Sequence, residues 1–208
     1  MSNIYENVFN YNKKRFGELF GQPFSVKTVD YSASNQTLNN KFPQKMYKVE
    51  VGSRNLVQSP LPNGCYYCVH GDYKAINPGD VLIPLRTDTS TPTVTIISKS
   101  PMEEITAIRT SRICNIRNGQ EVLYSNCLFD FTQGSNFPED PLHRVLSSPK
   151  VPENQVILYK RELRGVDFDT EGLILEDITD EVPTYWNINQ DNTLGNQMLL
   201  TLSMSVSQ

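Results

Sequence analysis

The first twenty residues repeat with helical spacing: Tyr5, Val8, Phe9, Asn12, Phe16, Leu19 and Phe20 recur at i, i+3 and i+4, with Lys13, Lys14 and Glu18 elsewhere around the wheel. Asn3 followed by Glu6 resembles a capping box, and Gly21-Gln22-Pro23 supplies the stop. An aromatic-rich amphipathic helix is predicted here, either packed on its own domain or docked on a neighbouring subunit. Beyond it the period changes to two. Phe24–Val29 and Met46–Val51 alternate apolar and polar around a polar loop from Ser32 to Asn40.

Strand signals then become dense: Cys65–Val69, Asp80–Ile83, Val94–Ser98, Ile105–Arg109, Arg112–Arg117 and Glu121–Tyr124, separated by turn-forming stretches such as Asn77-Pro78-Gly79. Asn118-Gly119 is the best short hairpin signal, because both residues tolerate the positive φ of a type I′ turn. Pro138, Pro141, Pro149 and Pro152 mark a long loop with one short helix around Leu142–Leu146. Strand character returns at Gln155–Tyr159, Leu173–Leu175 and Met198–Val206, the last with Met198, Leu200, Leu202, Met204 and Val206 on one face. That face pairs with a sheet of this chain or of a partner.

The expected fold is mainly β: an antiparallel β-barrel or sandwich with an N-terminal α-helix and a strand-containing C-terminal extension. The expected divisions are a helix over 1–21, the barrel or sandwich over 22–125, a proline-rich linker over 126–154, and a β extension or arm over 155–208. No repeat of solenoid or propeller period is present.

Composition narrows the function classes. A chain of 208 residues can bury a sizeable core without disulfide or metal staples. The formal net charge of -4, with no run of five or six like charges, argues against a nucleic-acid-binding face. Lys13-Lys14-Arg15 and the set Arg109, Arg112 and Arg117 read as solvated faces, or as the lining of a lumen in a ring. No apolar run approaches the ~18 residues that span a bilayer, and no signal-like segment opens the chain, so synthesis in the cytoplasm and free thiols are expected.

The stretch Gly64-Cys65-Tyr66-Tyr67-Cys68-Val69-His70 looks most like chemistry. In a strand, however, Cys65, Tyr67 and Val69 point one way while Tyr66, Cys68 and His70 point the other, so the two sulfurs face apart. A zinc pair needs a tight turn and two further ligands, and Cys114 and Cys127 form no second short pair. A redox pair needs a helix start. Cys68 with His70 supplies half a site, which keeps a metal-dependent domain using Cys65, Cys68, His70 and Cys114 as one alternative. A carbohydrate-binding module stacking sugars on Tyr66, Tyr67, Tyr73 or Trp186 is another. His70 and His143 lie in no catalytic motif; Asp167, Asp169 and Glu171 alternate as in a calcium loop but lack its central glycine and distal glutamate. No catalytic residue, cofactor site or metal site is therefore assigned.

Lys74-Ala-Ile-Asn-Pro-Gly-Asp-Val-Leu-Ile-Pro84, Thr93-Val-Thr-Ile-Ile97, Ala107-Ile-Arg-Thr-Ser-Arg-Ile-Cys-Asn-Ile116 and the opening Asn7 to Phe24 resemble small structural proteins of tailed-phage virions, specifically head-tail connector proteins of the neck or stopper kind. The resemblance spans roughly residues 1–120. It implies a non-enzymatic virion protein, made in the host cytoplasm, whose copies close into a homo-oligomeric ring between portal-side and tail-side proteins. DNA would pass through the lumen unread, and no membrane is involved. A baseplate or tail-attachment role fits the same pattern. The expected interface residues are Tyr5, Phe9 and Phe16 on the helix and Met198 to Val206 on the tail.

Overall fold

The computed structural model describes residues 4–31, 33–52, 66–86, 91–99, 105–131, 154–159, 172–194 and 197–204. Contacts divide the chain into two compact units, one built on residues up to Ser111 and the other from Arg112 onward.

The first unit opens with α1 (Ile4–Phe20), followed by β1 (Gln22–Val29), β2 (Leu38–Val51), β3 (Tyr66–Gly71), a 3-10 turn at Tyr73–Ala75, β4 (Val81–Pro84), β5 (Val94–Ser98) and β6 (Ile105–Arg109). The strands form a closed antiparallel barrel in the order β1-β2-β3-β6-β5-β4, closed by β1 against β4. Alternation puts Phe24, Val26, Tyr47, Tyr67, Val69, Leu82, Val94, Ile96, Ile105 and Ala107 into one core. The 14-residue β2 absorbs part of the expected polar loop. Its Pro43 falls where the register slips between Phe42 and Lys45, a place where a residue without an N–H costs no ladder bond.

The second unit contains β7 (Arg112–Asn118), β8 (Glu121–Phe131), β9 (Asn154–Tyr159), β10 (Leu173–Asp177), β11 (Thr184–Leu194) and β12 (Gln197–Met204). These close a second antiparallel barrel, β7-β8-β9-β12-β11-β10, around Ile116, Phe129, Val156, Leu158, Leu175, Trp186, Leu200 and Leu202. Cys114 and Cys127 face each other across β7 and β8 in this core. The mainly β fold with its N-terminal helix is as expected from sequence. The divisions differ: β7 and β8, expected in the first barrel, begin the second, and β9 to β12 complete that barrel.

Both barrels have the same strand order. The starts of β7, β9, β10, β11 and β12 follow those of β1, β3, β4, β5 and β6 by 88 to 92 positions. A turn glycine with positive φ precedes the fourth strand of each, Gly79 at 95° and Gly172 at 96°. Pro-Thr opens the fifth strand of each, Pro92-Thr93 before Val94 and Pro183-Thr184 at β11. The chain is a structural tandem of one six-stranded motif, with α1 preceding the first copy.

Two local expectations are corrected. The hairpin after β7 pairs Asn118 with Glu121, so its central residues are Gly119 and Gln120. Only Gly119 has positive φ, which fits a II′ turn with Gly first instead of a I′ turn. Strand β11 was not expected, because Asn187, Asn189, Gln190, Asp191 and Asn192 disfavour strands; ladders to β10 and β12 on both sides override that preference. The short helix at 142–146 and most of the proline-rich segment lie outside the described residues, although 126–131 are strand.

Candidate functional site

Among the described residues, the element with the most exposed large apolar side chains is α1. Its stop after Phe20 and its periodicity are as the sequence implies, but the face it buries is not the apolar one. Against β2, β3 and the 3-10 turn it lays Gly17, which is buried, together with Glu6, Phe9, Asn10 and Lys13, which are half-buried.

Gly17 explains the orientation. A Cβ there would stand 2.8 Å from the Gly71 Cα, 3.0 Å from the His70 carbonyl oxygen and 3.1 Å from that of Met46, all backbone atoms. The helix axis thus approaches the sheet closely, and glycine at position 17 permits it. Specific contacts complete the seat. Tyr73 is buried and donates its hydroxyl hydrogen bond to Glu6 Oε1 at 3.0 Å; Lys74 Nζ donates to Asn7 Oδ1 at 2.7 Å. Burial, then the bond to Glu6, raise the Tyr73 phenol above its usual pKa. Phe9 packs on the barrel core, and the Lys13 ammonium lies 4.7 Å from its ring centre.

The consequence is that the apolar residues of α1 face outward. Ile4 and Tyr5 are each 77% exposed, Val8 55%, Leu19 60%, Phe20 63% and Phe16 37%. Tyr11 is exposed as well. Of the expected interface residues on the helix, Tyr5 and Phe16 belong to this face, whereas Phe9 belongs to the seat.

Phe16 stands at the edge of the row. Its ring meets His70 edge-on at 5.3 Å between centres, stacks obliquely on Phe20 at 4.8 Å, and has Lys48 Nζ 5.4 Å from its centre. His70 Nε2 lies 3.0 Å from Glu50 Oε1, and Lys48 Nζ 2.7 Å from Glu50 Oε2. The bond from Lys48 holds the Glu50 carboxyl below its usual range against the opposing effect of desolvation, with a smaller contribution from the His70 bond.

From Tyr66 onward the stretch is strand: Tyr67 and Val69 enter the core, while Tyr66, Cys68 and His70 are half-buried on the other face. Cys65 lies outside the described residues. Cys114 belongs to the core of the second barrel, packed with Cys127. Among the described residues, no group of three or more His, Cys, Asp or Glu is placed to hold a metal ion. Tyr67, Tyr73 and Trp186, considered as sugar-stacking platforms, are core residues; Tyr66 remains half-buried. His143, Asp167, Asp169 and Glu171 lie outside the described residues.

The tail residues are reassigned too. Met198, Leu200 and Leu202 are buried in the chain's own second core, and β12 is paired on one side with β9 and on the other with β11, so it offers no free edge. Met204 ends β12, and Val206 lies outside the described residues. Arg112 and Arg117, read as solvated, are committed to ion pairs on the second barrel. Arg112 bonds Asp177 at 2.7 Å and Asp180 at 2.8 Å, and Arg117 bonds Glu176 at 3.1 Å. Tyr185 and Asn115 also donate to Glu176.

No helix among the described residues is long and apolar enough to cross a membrane. No protein-family model matches the chain, and neither a curated protein nor a solved structure matches it significantly.

Proposed function

We propose that this protein is a non-enzymatic structural protein that works by assembly, and that the outer face of α1 is a surface on which it assembles. The observation that carries the reading is the outward apolar row Ile4, Tyr5, Val8, Leu19 and Phe20 on a helix otherwise seated tightly by Gly17. A soluble monomer gains nothing from such a row, and exposed apolar patches of this kind mark association surfaces. Both described sheets are closed, so main-chain edge addition is not open to them, and association falls to side-chain surfaces.

The likeness of residues 74–84, 93–97 and 107–116 to phage connector proteins gives the specific form of the reading: a component of a tailed-phage neck, in rings joined to portal-side and tail-side proteins. The test is solution mass by light scattering from micromolar to near-millimolar protein, followed by electron microscopy of the concentrated sample. Defined multimers, including closed rings, are expected. A strictly monomeric protein across that range would refute the reading.

A further inference from the structure

We infer that Cys114 and Cys127 form a paired oxidation site in the second barrel, closing reversibly to a disulfide that ties β7 to β8.

Register brings the two together. Cys114 of β7 is the direct antiparallel partner of Cys127 of β8, and both are fully buried in the same core. Directly opposed residues of a ladder point to one face, so the two sulfurs share one space. The neighbouring residue fixes which kind of pair they make. The Ile113 carbonyl accepts from Ile178 N–H at 3.0 Å and Ile113 N–H donates to Thr179 Oγ1 at 2.9 Å, so Ile113 turns its backbone groups to the β10 side. Backbone groups alternate along a strand, and Cys114 therefore turns its own to β8. A hydrogen-bonded pair of this kind sets its Cα atoms about 5.5 Å apart, inside the ~4.4–6.8 Å that a disulfide spans.

The Cβ atoms are the tighter requirement. Directly opposed Cβ atoms stand about 4.5–5.5 Å apart, whereas a disulfide takes about 3.5–4.5 Å. The strands must draw together slightly, and β8 has slack at this place. Cys114 pairs with Cys127 and Ile116 with Tyr124, so Asn115 alone faces both Ser125 and Asn126, which is a bulge. Asn126 has a φ of 59°; its N–H donates to Asn115 Oδ1 at 3.2 Å and its side-chain amide to Asn35 Oδ1 at 2.8 Å. Cys127 thus has regular ladder on one side only. A disulfide made by compressing a ladder carries strain, and strained disulfides are the readily reduced ones, which makes this bond reversible.

The oxidant is of the small-molecule disulfide class, such as glutathione disulfide. One cysteine thiolate attacks a sulfur of the reagent and expels a glutathione thiolate; the other attacks the protein sulfur of the mixed disulfide and expels the second. Two electrons pass to the reagent, and the two cysteine protons end on the two released glutathiones. With both residues at 0% exposure, exchange runs when β7 and β8 part locally, and reclosure shields the product. A chain made under reducing conditions carries the thiols and gains the staple on reaching an oxidising medium.

The test equilibrates the full chain in glutathione buffers of graded ratio, once folded and once in unfolding urea, followed by alkylation and tryptic mapping. The oxidised folded protein should yield a link between the Ile113–Arg117 and Asn118–Arg144 peptides. Bridging 114 to 127 closes a loop of about 14 residues, so the equilibrium constant for the link should be about tenfold to a hundredfold larger folded than in urea. Oxidation should raise the melting midpoint read from Trp186 by several degrees. Cys127→Ala should abolish the link and that rise while keeping the circular dichroism spectrum. A constant no larger in the folded protein than in urea would overturn the inference, because the barrel would then hold the sulfurs apart. Links from Cys114 or Cys127 to Cys65 or Cys68 in place of each other would overturn it as well.

Discussion

Replacing Gly17 by Ala separates two opposite expectations. On helix propensity alone, Gly to Ala inside a helix stabilises by about 0.8–1.0 kcal/mol. The packing of α1 reverses the sign. The new Cβ would meet the Gly71 Cα at 2.8 Å and the His70 and Met46 carbonyl oxygens at 3.0 and 3.1 Å. Ordinary contact begins near 3.4 Å, and the obstructing atoms are backbone on two paired strands, so the helix must lift by a few tenths of an ångström or more. Overpacking of this kind costs about 1–3 kcal/mol. Less the propensity gain, the net expectation is a loss of up to about 2 kcal/mol, concentrated on α1 and the Tyr73 to Glu6 bond. Urea unfolding followed by circular dichroism should show a lower midpoint at unchanged slope. Amide exchange should report faster opening in α1 than in the first barrel's strands. An Ala variant as stable as wild type, or more stable, would mean that the close approach does not seat the helix and would remove the reason for its outward apolar face.

Other perturbations test other parts of the structure. Leu175→Ala, in the core of the second barrel, should cost about 2–5 kcal/mol, read from the fluorescence of buried Trp186, the chain's single tryptophan. Arg112→Ala leaves the Asp177 side chain, only 3% exposed, with Thr179 as its remaining partner; a loss of about 2–3 kcal/mol is expected in thermal unfolding, and much less from Asp180→Ala, whose side chain is 72% exposed. Glu50→Gln should lower stability by under about 1 kcal/mol at neutral pH, since the side chain is 45% exposed. The Glu50 pKa is depressed in the folded state, so its contribution is present above the ordinary value of 4.5 and fades as pH falls through the lower folded value; unfolding measured from pH 7 to 3 should show the two proteins converging. Tyr73 is raised above 10.0, so its phenol should titrate late in an ultraviolet pH titration, and Tyr73→Phe should cost about 1 kcal/mol through the lost bond to Glu6.

Sequence alone determined what depends on neighbours along the chain. Strand-forming runs between turn signals gave β5 and β6 to the residue, and alternation put Tyr67 and Val69 on the face opposite Cys68 and His70. The helical repeat placed α1, and alternation in β12 marked Met198, Leu200 and Leu202 as a buried face. Tertiary structure decided everything that depends on partners distant in sequence. Strand order rests on pairs such as β1 with β4 and β7 with β10, which no local pattern encodes, so the tandem of equal barrels and the boundary at Ser111 were invisible. Strand β11 forms because two ladders outweigh its poor propensity. The face α1 buries was likewise beyond the pattern: periodicity locates an apolar stripe and cannot see that Gly17 lets the helix backbone meet that of the sheet. Close backbone approach requires an absence of side chain, and hydrophobic patterning records only where side chains are.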